Sequence, residues 1–184
     1  STVVHCLGVE AVSRFQRMRG HREYVQLVHD LYASTDAAWL TPSELFQPLY
    51  GEAFARYMVQ EVMSSTQHYD GLHVVEIGAG NGVLAKNVLD WVQRHHPTLY
   101  PSTFYQCVDI SPQLHLRQRE SLHAHELQGR ASCWNLDGSR ELPAFPSHLK
   151  CKNPLTVVLL MEVLDNLPHD LLQLSGGQWN QGMV

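Results

Sequence analysis

Five consecutive residues carry the first chemical signal. They are Gly78-Ala79-Gly80-Asn81-Gly82, with three glycines in five positions. The apolar run Leu72-His73-Val74-Val75-Glu76-Ile77 precedes them and reads as a buried strand. Leu84, Val88, Trp91 and Val92 follow at helical spacing. A glycine-rich turn between a parallel strand and a helix lets a ligand approach the backbone closely. A tight structural turn accounts poorly for three glycines in that setting. A dinucleotide turn of the form G-x-G-x-x-G would need glycine where Val83 stands, and its strand is usually apolar where this one carries Glu76. Asp109 ends a second strand, and a carboxylate there can accept from both hydroxyls of a ribose. The plainer reading is an acid favoured at the start of the next helix. In Asn135-Leu136-Asp137-Gly138, Asp137 can accept from an adenine amino group while nearby backbone reads the ring edge. A simple Asp-Gly turn explains the same letters. Glu162 and Asp165 are three apart, so one helical turn puts both on the same side. Two carboxylates can clamp a guanidinium through its planar fork of donors. An acidic turn before Pro168 is the bland alternative.

These residues need elements to position them. Residues 9–33 read as helical, in one piece or two around Gly20. Thr41-Pro42-Ser43-Glu44 has the form of a helix start, with Thr41 as cap, Pro42 in the first turn and Glu44 reaching back. A second helix is expected from about Leu49 to Ser64, with Phe54, Tyr57, Met58 and Glu61 recurring at helical spacing. Further strands are expected at Phe104–Asp109, Ala131–Leu136 and Leu155–Met161. Ser111 and Pro112 open the helix that follows the second strand. The last run is apolar throughout, as in a central strand covered on both faces. Alternating strands and helices predict an α/β doubly wound domain over residues 70–184, after a helical segment over residues 1–69. Ser175-Gly176-Gly177 makes the tail after Leu171 a β-hairpin.

Composition bounds the function. The chain has 184 residues, 13 basic against 18 acidic side chains, and a formal charge of −5. No strongly basic field exists to hold nucleic acid nonspecifically. The longest apolar run, Val157 to Met161, is far too short to span a bilayer. The four cysteines, Cys6, Cys107, Cys133 and Cys151, show neither metal-ligand spacing nor a dense disulfide pattern, which suits a reducing intracellular compartment. Twelve histidines include the groups His95-His96 and His123-Ala124-His125, and solvated helix faces explain them better than a metal.

An acid followed by G-x-G-x-G, as in Glu76 to Gly82, resembles motif I of the class I S-adenosylmethionine (SAM) methyltransferases. The segments Leu40–Phe46, Tyr50–Ala53, Val75–Leu84, Asp109-Ile110-Ser111 with Leu114, Gln118 and Leu122, and Glu162–Pro168 together resemble the MidA-type methyltransferases in the family's order. The resemblance covers residues 40–184. It implies a Rossmann-like class I fold and SAM as cofactor. It places Glu76, Gly78, Ala79, Gly80, Asp109, Ile110, Leu136 and Asp137 against that cofactor, and Glu162 and Asp165 at the reacting centre. The family includes a mitochondrial complex I assembly factor that methylates arginine. The resemblance therefore implies arginine methylation of a protein, with a respiratory complex I subunit as candidate acceptor and a mitochondrial location. This chain departs from the family at Met161, where a polar residue is frequent, and at Asn81-Gly82-Val83, where Arg or Thr is frequent after the second glycine. The four strands and hairpin are fewer than a complete class I sheet has, so the pattern resembles a fold cut before its fifth strand. The alternative is a non-catalytic binding or assembly module on the same fold. A nicotinamide dehydrogenase is disfavoured by Val83 and Glu76.

Overall fold

The computed structural model describes residues 2–3, 16–17, 23, 26, 41–147, 149, 151–164 and 171–182. Backbone contacts group the chain into two units, residues 1–34 with 165–184, and residues 35–164.

The larger unit holds the elements around the glycine turn. Its sheet has four parallel strands: β3 (Gly71–Ile77), β4 (Thr103–Asp109), β5 (Ala131–Asn135) and β6 (Pro154–Leu159). Their spatial order is β5-β4-β3-β6. The chain therefore steps outward from β3 through β4 to β5, then returns across the sheet to β6 on the other side of β3. Such sheets bind ligands beyond the carboxyl ends of the strands where the order reverses, here between β3 and β6. The fold is the Rossmann-like α/β arrangement expected from the alternating pattern.

The described α-helices of this unit are α1 (Pro42–Leu45), α2 (Leu49–Ser64), α3 (Val83–His95) and α4 (Pro112–Leu127). Thr41 caps α1 in a full capping box, with Glu44 bonded back to its backbone. Ser111 Oγ accepts from the Leu114 amide at 3.4 Å and caps α4. In α2 the buried stripe is Gly51, Ala55, Met58, Val59 and Val62. Met58 is buried as its spacing suggested, but Tyr57 and Glu61 are exposed. Gly51 is the point of closest approach to α3, since a Cβ there would lie 2.5 Å from that of Asn87. One core joins α2 and α3 to alternate residues of the sheet: Leu72 and Val74, Tyr105 and Cys107, Ala131 and Leu159. On the opposite face, His73 bonds Gln106 at 2.6 Å and meets the Phe145 ring edge-on, so the β5–β6 connection crosses there.

Two expectations change. The apolar strand β6 borders the described sheet instead of lying inside it, and Val158 is 45% exposed. A continuous apolar run reports hydrophobicity on both faces but not how many neighbours the strand has. In the smaller unit, Glu23 and Gln26 are helical as expected, but Gln16–Arg17 (β2) pair antiparallel with Thr2–Val3 (β1). Their backbone groups are satisfied across strands, not along a helix. The tail hairpin is present: β7 (Leu171–Ser175) and β8 (Gln178–Gly182) meet at Gly176-Gly177, both at positive φ. No described helix is long and apolar enough to cross a membrane, and among the described residues no three His, Cys, Asp or Glu side chains gather to hold a metal.

Candidate functional site

The carboxyl ends of β3 and β4 bring the glycine turn and two acids together. Gly78, Gly80 and Gly82 have φ of 71°, 54° and 75°, backbone that L side chains rarely adopt. The three are not equivalent. A Cβ on Gly78 would sit 2.5 Å from Val163 Cγ2, and one on Gly82 would sit 3.3 Å from the Gln118 backbone. A Cβ on Gly80 would meet nothing within 4 Å. Gly78 and Gly82 are thus small where protein packs against them, while Gly80 presents open backbone.

Asp109 organises that open position. Its Oδ2 accepts from the Gly80 amide at 3.2 Å, and its Oδ1 accepts from the Ser111 amide at 2.9 Å. Its own backbone oxygen accepts from the Leu136 amide and from Asn135 Nδ2, both at 3.0 Å. One residue therefore links the turn, the start of α4 and the end of β5. Burial pushes its pKa up to about 6, against the pull of the backbone amides of Ser111, Gly80 and Ile110.

Glu76 lies on the core face of β3 and is 3% exposed. Its Oε2 accepts from the Tyr105 hydroxyl at 2.8 Å. Burial raises its pKa to about 8; the Tyr105 bond opposes the rise and the charge of Asp109 adds to it. The two acids at the turn are thus both costly to ionise unless something positive arrives.

Two residues outside the sequence-derived set touch the same turn. Gln118, fully buried on α4, donates from Nε2 to Gly80 O at 2.9 Å and to Asp109 Oδ2 at 3.5 Å. Glu44, read from sequence as a capping residue, also accepts from Asn81 Nδ2. Gln118 was visible as one of the matching family residues, but its reach to Gly80 is not a local pattern. Glu44 was visible in the capping box and in the matching segment Leu40–Phe46, but neither signal points to Asn81.

The remaining expected site residues divide. Ala79 is buried and Ile110 half-buried beside the turn and Asp109. Leu136 is tied to Asp109 by its amide. Asp137 is committed to its own turn: Oδ1 accepts from the Ser139 amide and hydroxyl at 3.1 and 2.6 Å, and Oδ2 pairs with Arg140 at 3.0 Å. Gly138 lets this turn pack on the sheet, since a Cβ would lie 2.7 Å from Ile77 Cγ2. Glu162 is exposed just past β6 at φ 55°, and its neighbour Val163 rests on Gly78. Asp165 lies outside the described residues. Two open clefts sit elsewhere, one of about 310 Å³ beside Trp91 and one of about 450 Å³ beside Trp134. Hydrogen bonding, not cavity size, singles out the turn.

Comparisons with known proteins show the family. Two crystal structures of one superfamily from Burkholderia thailandensis are similar to this chain. The first, described as a "likely methyl transferase", is bound to S-adenosyl-homocysteine; it is 30% identical over 78% of this chain and 32% of its own, with a TM-score of 0.50. The second, an uncharacterized protein in its native crystal form, is 29% identical over 78% of this chain and 33% of its own, with a TM-score of 0.49. The chain thus spans about a third of the length of these relatives. No curated protein matches it. A family model covers residues 53–184, from α2 through the glycine turn to the end of the chain. The chain belongs to that family, whose description is "Putative S-adenosyl-L-methionine-dependent methyltransferase".

Proposed function

We propose that this chain is the cofactor-binding part of a SAM-dependent methyltransferase, with SAM seated on the Gly78–Gly82 turn. The observation that carries the reading is the open backbone of Gly80, with the Asp109 carboxylate on its amide and buried Glu76 nearby. The donor set fits the group. SAM brings a sulfonium, an ammonium and ribose hydroxyls, and the turn offers acids and amide oxygens to meet them. The anionic pyrophosphate of a dinucleotide would meet the same oxygens unfavourably.

Glu76, Gly78, Ala79 and Gly80 hold the amino-acid and sulfonium end. Asp109 and Ile110 hold the ribose, and Leu136 and Asp137 lie toward the adenine. When bound, the cofactor supplies a methyl group open to in-line displacement. The chain's part is then to hold a nucleophile in line with it. Glu162 and Asp165 orient a guanidinium, and one of them takes its proton as the nitrogen is methylated. The half-buried Tyr50 and Phe54 of α2, with rings 5.2 Å apart, cover the site and exclude water.

The MidA-type resemblance of Thr41–Phe46 and Glu162–Pro168 supports the finer reading. On it, the acceptor is an arginine of a protein, a respiratory complex I subunit, and the protein works in mitochondria. Calorimetry with SAM and with S-adenosylhomocysteine tests the cofactor, and no heat at millimolar ligand sinks it. Transfer of labelled methyl to an arginine of a complex I subunit, abolished by Glu162→Ala, tests the acceptor. Binding without transfer favours the non-catalytic module.

A further inference from the structure

Asn81 stands between Gly80 and Gly82, in the middle of the turn. Its Nδ2 donates to Glu44 Oε1. A carboxylate oxygen accepts, so this contact fixes which end of the amide points where. Glu44 is itself held, because its Oε2 accepts from the Thr41 amide at 3.4 Å. The far end of the Asn81 amide, Oδ1, is buried and has no partner among the described residues. Native proteins rarely leave a buried acceptor unpaired. Among the described residues, Asn87 Nδ2, Trp91 Nε1 and His115 Nδ1 are unpaired nitrogens elsewhere, and the two unpaired oxygens both belong to residues of the turn or bonded to it. Gln118, which bonds Gly80 and packs on Gly82, repeats the arrangement. Its Nε2 is fixed by Gly80 O, and its Oε1 is also buried without a partner among the described residues. A ligand seated against the turn can bring the missing donor.

We propose that Asn81, oriented by Glu44, is a specificity residue whose Oδ1 accepts from the ammonium of the cofactor's amino-acid end. This rests on the reading of the turn as a SAM site. Three features favour an ammonium over the cofactor's other donors. It is a cation beside two acids that resist ionisation while no positive group is near. It carries three donors, enough for more than one orphaned oxygen. The ribose hydroxyls already have Asp109, and the adenine lies toward β5, on the far side of β4 from the turn.

The test is calorimetry on the full chain with three ligands: SAM, S-adenosylhomocysteine and 5′-methylthioadenosine. The last keeps the nucleoside and sulfur but lacks the amino-acid end. Asn81→Ala is expected to weaken SAM and S-adenosylhomocysteine by roughly tenfold or more, as for a lost bond to a charged group. Methylthioadenosine should bind within about twofold of its original affinity. Equal loss for all three ligands, or no loss, overturns the proposal. Equal loss for SAM and S-adenosylhomocysteine also separates the ammonium from the sulfonium, which only SAM carries. The double variant Glu44→Gln with Asn81→Asp keeps the bond with donor and acceptor exchanged, and leaves an acceptor for the ammonium. It should recover SAM binding lost in Asn81→Ala, and failure to recover it while the fold melts normally counts against the proposal. If the unaltered chain binds none of the ligands, the SAM reading itself falls. If it binds SAM and Asn81→Ala changes nothing, only this inference falls.

Discussion

The acids at the ends of β3 and β4 contrast with those after β5 and β6. Glu76 and Asp109 are buried, and each receives a hydrogen bond from a different element: Glu76 from Tyr105, Asp109 from the Gly80 and Ser111 amides. Asp137 is occupied by its own turn, and Glu162 is exposed in a left-handed backbone conformation. The first pair is held in place before any ligand arrives. In the second pair, Asp137 bonds within its own turn and Glu162 faces solvent just past β6. Acids bonded from other elements are oriented before a ligand binds, whereas an exposed acid must be oriented by the substrate it meets.

The sharpest way to break this contrast is at Asp109. Asp109→Ala removes the acceptor of the Gly80 amide and the proposed ribose contact together. SAM affinity measured by calorimetry should fall roughly a hundredfold, the scale of two lost bonds to a charged group. Affinity that stays within a few-fold would show that Asp109 builds the turn without touching cofactor.

The two kinds of glycine should separate next. Gly78→Ala forces a side chain into positive φ and against Val163, so thermal or denaturant unfolding should show a loss of about 2–4 kcal/mol. Gly80→Ala meets no protein atom and should cost about 1–2 kcal/mol from its backbone alone. It should nevertheless obstruct SAM, which the milder stability loss does not explain. Adding Val163→Ala should recover part of the loss in Gly78→Ala and none in Gly80→Ala. Equal stability losses for the two glycines would erase the distinction between packing and ligand access.

Much of this was legible in the sequence, for physical reasons. Strand β3, the turn and α3 are contiguous, so hydrophobic period and glycine spacing report them directly. Glu76 and Asp109 sit at strand ends, where position in the chain predicts position in the site. Asn81, Glu44 and Gln118 were less legible as a group. The Glu44–Asn81 contact joins residues 37 apart, and Gln118–Gly80 joins residues 38 apart. No periodicity encodes such pairings, which depend on how α1 and α4 pack beside the turn. The border position of β6 was hidden for the same reason, since strand order is a tertiary property.

Acid titration sharpens the contrast from another side. Glu76 rises from 4.5 to about 8 and Asp109 from 3.8 to about 6. A folded-state pKa above the unfolded value means stability that is full below the unfolded pKa and lost as pH rises through the folded one. The ligand-free protein should therefore melt lower as pH climbs from about 4 to about 8, and Glu76→Gln should flatten the upper part of that decline. A bound cation favours ionised Glu76, so SAM binding should release a proton and strengthen severalfold from about pH 6 to 8. Calorimetry in buffers of different ionisation enthalpy reads the proton directly. The same pH dependence in Glu76→Gln would move the titrating group elsewhere.

The smallest effect is expected at Asp137. Its two oxygens already serve Ser139 and Arg140, and it is half-buried with its turn held against Ile77 through Gly138. Asp137→Ala should cost a few tenths of a kcal/mol to about 1 kcal/mol of stability, the range for an exposed pair and a turn bond. SAM affinity should change by no more than about twofold if the adenine edge is read by backbone near Leu136. A tenfold loss of SAM affinity with an unchanged melting temperature would mean that Asp137 leaves Arg140 to accept from the adenine amino group. The acid after β5 would then belong with Glu76 and Asp109, and the contrast would narrow to Glu162 alone.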